Sequence, residues 1–82
     1  MKFYYTYVLR SKKDGNLYIG WTINLIRRIK QHNQGLGIST EQRRPLELIY
    51  YEACLSEEGA IKREKQLKTG FGRAYLKRRL KL

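Results

Sequence analysis

The sequence predicts an α+β domain: a three-stranded, mainly antiparallel sheet flanked by helices, in the order ββα-βαα. Three observations predict it. Two runs rich in aromatic and β-branched residues, FYYTYVLR and NLYIGW, lie either side of a turn signal in SKKDGN. A further such run, LELIYYEACL, arrives only after a helical segment, and apolar residues at helical spacing follow each sheet-forming unit. A chain of 82 residues has apolar surface for one small core, so residues 1–82 are assigned to a single domain.

Residues 3–10 form the first strand and residues 16–21 the returning one. Asp14 and Gly15 suit the positive φ of the turn between them, which makes a β-hairpin. A loop over residues 11–14 sets Arg10 opposite Gly15 and so Tyr7 opposite Tyr18, both phenols on one face, whereas a one-residue slip would separate them. Thr22 is the expected N-cap of a helix over residues 23–33, with Leu25, Ile26 and Ile29 as its apolar stripe. Asn24, Arg28 and His32 recur every fourth residue, a polar file at the edge of that stripe. Glycines in GLGIST, residues 35–40, end the helix and open an irregular, mobile loop that EQRRP continues to Pro45.

In the third strand, residues 46–55, alternation is imperfect, and apolar side chains on both faces predict helices over part of each side. Ser56, Glu57 and Glu58 start a helix, because a hydroxyl caps free amides and early acids meet the positive end of the dipole. It runs to Thr69 with Gly70 as its stop, and RAYLKRRLKL carries Leu76 and Leu80 at the spacing of a short terminal helix.

Eighteen Lys and Arg against seven acids give a net charge of +11, the electrostatic footprint of a polyanionic partner, nucleic acid first. With 41% hydrophobic residues, that charge does not mean disorder. Charge alone does not separate a nuclease from a noncatalytic nucleic-acid-binding module or a small ribonucleoprotein component. The N-terminal run lacks a small-residue cleavage site, and nothing approaches the roughly 20 apolar residues of a membrane span. With Cys54 as the only cysteine, expected to be a buried thiol, the chain reads as cytoplasmic with no membrane partner. No zinc ligand set, P-loop or nucleophile triad is present.

One acid stands in an unexpected place. At 100° per residue, Ala60, Ile61, Glu64, Leu67 and Lys68 share one helix face, so Glu64 is turned toward the sheet. A carboxylate there needs a cation: Lys68 one turn on, an arginine from elsewhere, or a metal.

In their order these residues resemble the GIY-YIG nuclease superfamily, and within it the small standalone bacterial proteins related to the nuclease domain of the excision-repair endonuclease. Tyr5-Thr6-Tyr7 stands where the first triplet belongs, and Tyr18-Ile19-Gly20 is the second, intact. The similarity continues through Thr22, Leu25, Arg28, His32, HNQGLG, RRPLELIYYE and EGAIKREKQLK, covering residues 4–70. The resemblance implies an endonuclease that hydrolyses DNA phosphodiester bonds with one Mg²⁺ or Mn²⁺ ion, directed by structure rather than sequence. It implies Tyr7 and Tyr18 as the motif tyrosines, Arg28 as catalytic arginine and Glu64 as metal ligand. His32 lies where members carry a histidine or tyrosine near the catalytic centre. The sequence departs from the pattern at the first triplet, which keeps only its tyrosine, and at Trp21, where excision-repair relatives have lysine.

For such chemistry Tyr18 is the expected base, helped by a dense positive field that favours tyrosinate, with Tyr7 as its hydrogen-bonding partner. Arg28 would clamp a non-bridging oxygen. The bland readings are strand packing for the two tyrosines and a helix-end cation for His32. Arg27, Arg43, Arg44, Lys62, Lys65, Lys68, Arg73, Lys77, Arg78 and Arg79 read as a surface that grips phosphates without reading sequence, DNA more than RNA. A lone module of this size also leaves room for a protein partner in efficient cutting.

Overall fold

The computed structural model describes residues 1–82 and has the expected α+β architecture. Strands β1 (Tyr4–Ser11), β2 (Leu17–Thr22) and β3 (Leu46–Cys54) form one antiparallel sheet in the order β2-β1-β3. Helix α1 (Leu25–Asn33) follows the hairpin; α2 (Glu57–Leu67) and α3 (Gly70–Leu80) follow β3. The sheet is sandwiched. Tyr7, Leu9 and Leu46 pack with Tyr18, Leu25, Ile29 and Leu48 beneath α1, while Val8, Ile19, Leu67 and Leu76 pack with Tyr50, Tyr75 and Leu80 on the opposite face. The expected single core is therefore two clusters, because a central strand buried on both faces divides the apolar interior.

The hairpin register differs from expectation. Ser11 stays in the strand, its hydroxyl accepting from the amides of Lys13 and Asp14 at 3.1 and 3.2 Å, and the loop becomes residues 12–15 with Gly15 at φ 75°. Arg10 consequently pairs with Leu17 and Tyr7 with Gly20, not with Tyr18, which lies opposite Leu9. A loop moved by one residue moves the register by two, so both tyrosines keep the same face.

Helix boundaries shift for capping reasons. Thr22 remains in β2, and Asn24 caps α1 by accepting from the Arg27 amide at 3.0 Å. Ser56 caps α2 as expected, accepting from Gly59 at 3.0 Å. Gly70 does not stop that helix but begins the next, since Thr69 accepts from the Gly72 amide at 3.2 Å and caps α3. The imperfect alternation of β3 is a bulge: Val8 pairs with Tyr50 and Leu9 with Leu48, so Ile49 is the extra residue and Leu48 and Tyr51 both face α1.

The segment after α1 is not a loose loop. It contains a 3₁₀ turn, Glu41–Arg43, and a fully buried Thr40. Asn33 donates to the Leu46 carbonyl at 3.0 Å and accepts its amide at 2.7 Å, pinning the end of α1 to β3. Thr6 donates to the Ala60 carbonyl at 2.9 Å and fixes α2 against β1 one turn before Glu64. Cys54 is half-buried rather than buried.

Candidate active site

The intact triplet ends in glycine for a packing reason. A Cβ on Gly20 would stand 2.5 Å from the Tyr7 hydroxyl, so the Tyr7 ring crosses β2 where only glycine leaves space. This carries the hydroxyl of a central-strand residue toward β2, the sheet's edge strand. Residues from both layers can reach it there.

From α1, His32 Nε2 lies 2.9 Å from the Tyr7 hydroxyl, and His32 Nδ1 lies 2.7 Å from the Thr40 hydroxyl. Thr40 in turn donates to the Gly37 carbonyl at 3.3 Å. That last bond sets the direction of the others. A threonine whose proton goes to a carbonyl accepts from Nδ1–H, which leaves Nε2 with its lone pair to accept from the Tyr7 O–H. Tyr7, His32 and Thr40 are at most 1% exposed. Gly37 closes the chain, because a Cβ there would stand 2.6 Å from His32 Nδ1 and 2.7 Å from the Thr40 hydroxyl.

Burial makes the chain neutral. Desolvation, aided by the positive Arg28, lowers His32 to about 4. It is therefore not the helix-end cation of the bland reading. Desolvation also raises Tyr7 to about 12, although Arg28 pulls downward; Tyr18 and Glu64 push it further up. At Tyr7 burial outweighs the positive charge of Arg28.

Tyr7 is thus hydrogen-bonded to His32, has Tyr18 and Arg28 beside it and lies within the field of Glu64. The Arg28 guanidinium is half-buried and steadied by Gln31 at 3.1 Å, whereas Arg27 is exposed. Tyr18 is half-buried, with its ring 5.0 Å from His32 and 6.4 Å from Tyr7 between centroids. Tyr7 bonds to His32 rather than to Tyr18, contrary to the expected tyrosine pair, because the two-residue register shift moves the phenols apart along the strands.

Glu64 is 18% exposed, and its cationic partner is Lys68 at 3.6 Å, itself 53% exposed. No group of three or more His, Cys, Asp or Glu is arranged to hold a metal. One carboxylate with oxygens left open suits a hard cation that keeps most of its waters, and does not suit a caged one.

Four of the ten predicted phosphate contacts, Arg43, Lys68, Arg73 and Lys77, come together along β2. Lys62 is paired with Glu58 at 3.1 Å, and Arg44 is tied to the Glu41 carbonyl at 2.9 Å. Arg27, Lys65, Arg78 and Arg79 are exposed elsewhere. Sequence reasoning missed Thr40, Gly37 and Gln31. The one available signal was the closely spaced Gly35 and Gly37, of which Gly35, at φ 84°, serves the helix end and Gly37 the close approach.

Residues 3–79 match the family model described as the GIY-YIG catalytic domain. A UPF0213 protein of Pediococcus pentosaceus is 47% identical over 66 residues, covering 79% of this chain and 68% of that protein. One from Syntrophus aciditrophicus is 42% identical over 66 residues, covering 78% and 75%. The solution NMR structure of a UPF0213 protein from Bacillus halodurans matches with a TM-score of 0.56 at 35% identity, covering 90% of this chain and 81% of that one.

Proposed function

We propose that this chain, which belongs to the GIY-YIG catalytic-domain family, is an endonuclease that hydrolyses DNA phosphodiester bonds with one Mg²⁺ or Mn²⁺ ion, directed by structure rather than sequence. The observation that carries this reading is a buried phenol hydrogen-bonded to His32, flanked by Tyr18 and Arg28, and within the field of the acid Glu64. Binding alone needs no carboxylate in so basic a setting.

The residues divide the work by access. Tyr18 is the accessible phenol and takes or orients the proton of the attacking water. Tyr7 is buried with its proton committed to His32, so it is a positioning residue: its oxygen faces Arg28 and holds that guanidinium for a non-bridging phosphate oxygen. Thr40 fixes the His32 tautomer and acts only through it. Glu64 would hold the divalent ion, which supplies charge neutralisation at the phosphate and leaving oxygen when bound.

The test is cleavage of labelled single-stranded, duplex and branched DNA with Mg²⁺ or Mn²⁺ by the wild type, Glu64→Ala and Arg28→Ala, with binding followed in the same samples. Cleavage lost in both variants while binding persists supports the assignment. A wild type that binds but never cuts makes the domain a binding module, or one dependent on a protein partner.

A further inference from the structure

The free edge of β2 does not end at the candidate active site. Between the hairpin turn, Leu17–Ile19 of β2 and the flank of α3 lies an open groove of about 1010 Å³. Its side-chain charge is one-sided: Arg43, Lys68, Arg73 and Lys77 face it with a single acidic side chain, Asp14. Asp14 is already engaged by the Asn16 amide at 2.9 Å and by Arg43 at 3.6 Å.

The cations are not equivalent. Arg43 is held in place, donating to the Leu17 carbonyl at 3.4 Å, and its buried Nε has no hydrogen-bond partner. Arg73 and Lys77 are exposed and one turn apart on α3, and neither is in any ion pair. Such i,i+4 neighbours stand about 5–6 Å apart at Cβ, close to the step between successive phosphates of a strand. Lys68 is the ion-pair partner of Glu64, and Tyr18 lines the groove, so the groove adjoins the candidate active site at these two residues.

We propose that this groove seats the phosphate backbone of a single-stranded polynucleotide and feeds it along the β2 edge to Tyr18 and Glu64. The inference rests on the hydrolase reading and names its substrate class. At about 1010 Å³ the groove lies at the upper end of the roughly 300–1,000 Å³ of a pocket for a drug-sized ligand and has room for a short run of one strand. Leu17, only partly buried in its wall, offers the bases apolar contact.

The experiment measures binding of fluorescent oligo-dT, oligo-rU and a DNA duplex against salt concentration, for the wild type, Arg73→Ala/Lys77→Ala and the control Lys2→Ala/Lys30→Ala, whose lysines lie off the groove. Each released phosphate contact lowers the log–log salt slope by about 0.7 for a single strand. The groove variant is expected to lose about 1.4 from the single-strand slope while the control and the duplex slope change little. Equal losses for dT and rU assign the groove to the backbone, and a loss confined to one assigns it to that sugar.

An unchanged single-strand slope, an equal loss in the control, or a duplex slope falling by about 1.8, at 0.9 per contact, overturns the proposal. So does displacement of the oligonucleotide by poly-L-glutamate at equal charge, which reassigns the groove to acidic polypeptides. Failure here stays separate from failure of the hydrolase reading: groove-dependent slopes without cleavage sink only the latter, and cleavage with indifferent slopes sinks only the former.

Discussion

A tyrosine-centred network lies on each face of the sheet, and the two end differently. On the α2/α3 face Tyr50 donates to Glu52 at 2.7 Å and meets the Tyr75 hydroxyl at 3.1 Å. Arg63 spans both Glu52 oxygens at 3.1 and 3.0 Å, and its guanidinium lies 4.9 Å from the Tyr75 ring centre. That hydrogen bond holds Arg63 above its ordinary value, and burial pushes Tyr50 up. On the α1 face the chain from Tyr7 through His32 to Thr40 carries no charge, and Glu64 of α2, whose charge Tyr7 feels, meets only Lys68 at 3.6 Å. A carboxylate whose oxygens are consumed by guanidinium and phenol is architecture. One beside a buried neutral network, with oxygens to spare, is available to a ligand.

The sharpest way to break this contrast is to exchange the acids' roles by mutation. Glu64→Gln and Arg28→Ala are expected to lower the cleavage rate by about 10²–10³-fold or more, the scale of losing one transition-state charge stabiliser, with unchanged circular dichroism. Glu52→Gln should leave the rate per folded molecule near wild type. A rate loss in Glu52→Gln equal to that in Glu64→Gln would erase the distinction.

The next effect is pH dependence of stability. His32 sits at about 4 in the folded protein, below its ordinary 6.5. Between those values the unfolded chain binds the additional proton, so the stability due to neutral His32 is complete above pH 6.5 and is lost as pH falls through about 4. The shift corresponds to a contribution on the order of 3 kcal/mol. Urea titrations followed by Trp21 fluorescence, wild type minus His32→Asn, should show this slope, while Arg63→Ala should retain it. A flat difference curve would mean that the imidazole is not held neutral.

Gly20→Ala should cost about 1–3 kcal/mol, because its Cβ would displace the Tyr7 hydroxyl from His32. The melting temperature should fall, and NMR should show the His32 ring losing its fixed tautomer. Arg63→Ala should cost less, about 1–2 kcal/mol, since the Glu52 pair is about one-third exposed. It should leave the His32 signals unmoved, and any change there would couple the two faces.

Much of this was legible without coordinates. The period-2 pattern placed Tyr7 and Tyr18 on one face, and this survived a wrong register because a loop moved by one residue shifts pairing by two. Glu64 stood out because helical periodicity turned an acid toward the sheet. Glu52, equally important to packing, gave no such signal, since in a strand covered on both sides either face accommodates it if an arginine eleven residues on folds back.

The sequence by itself determined the order of elements, their faces and the acid that did not fit, because these follow from short-range periodicity and capping. Only the tertiary structure decided that His32 is neutral, that Thr40 holds its tautomer, that β3 bulges at Ile49, and that Arg43 joins Arg73 and Lys77 on one groove. Each depends on desolvation or on groups brought together across the fold, and neither leaves a trace in local pattern.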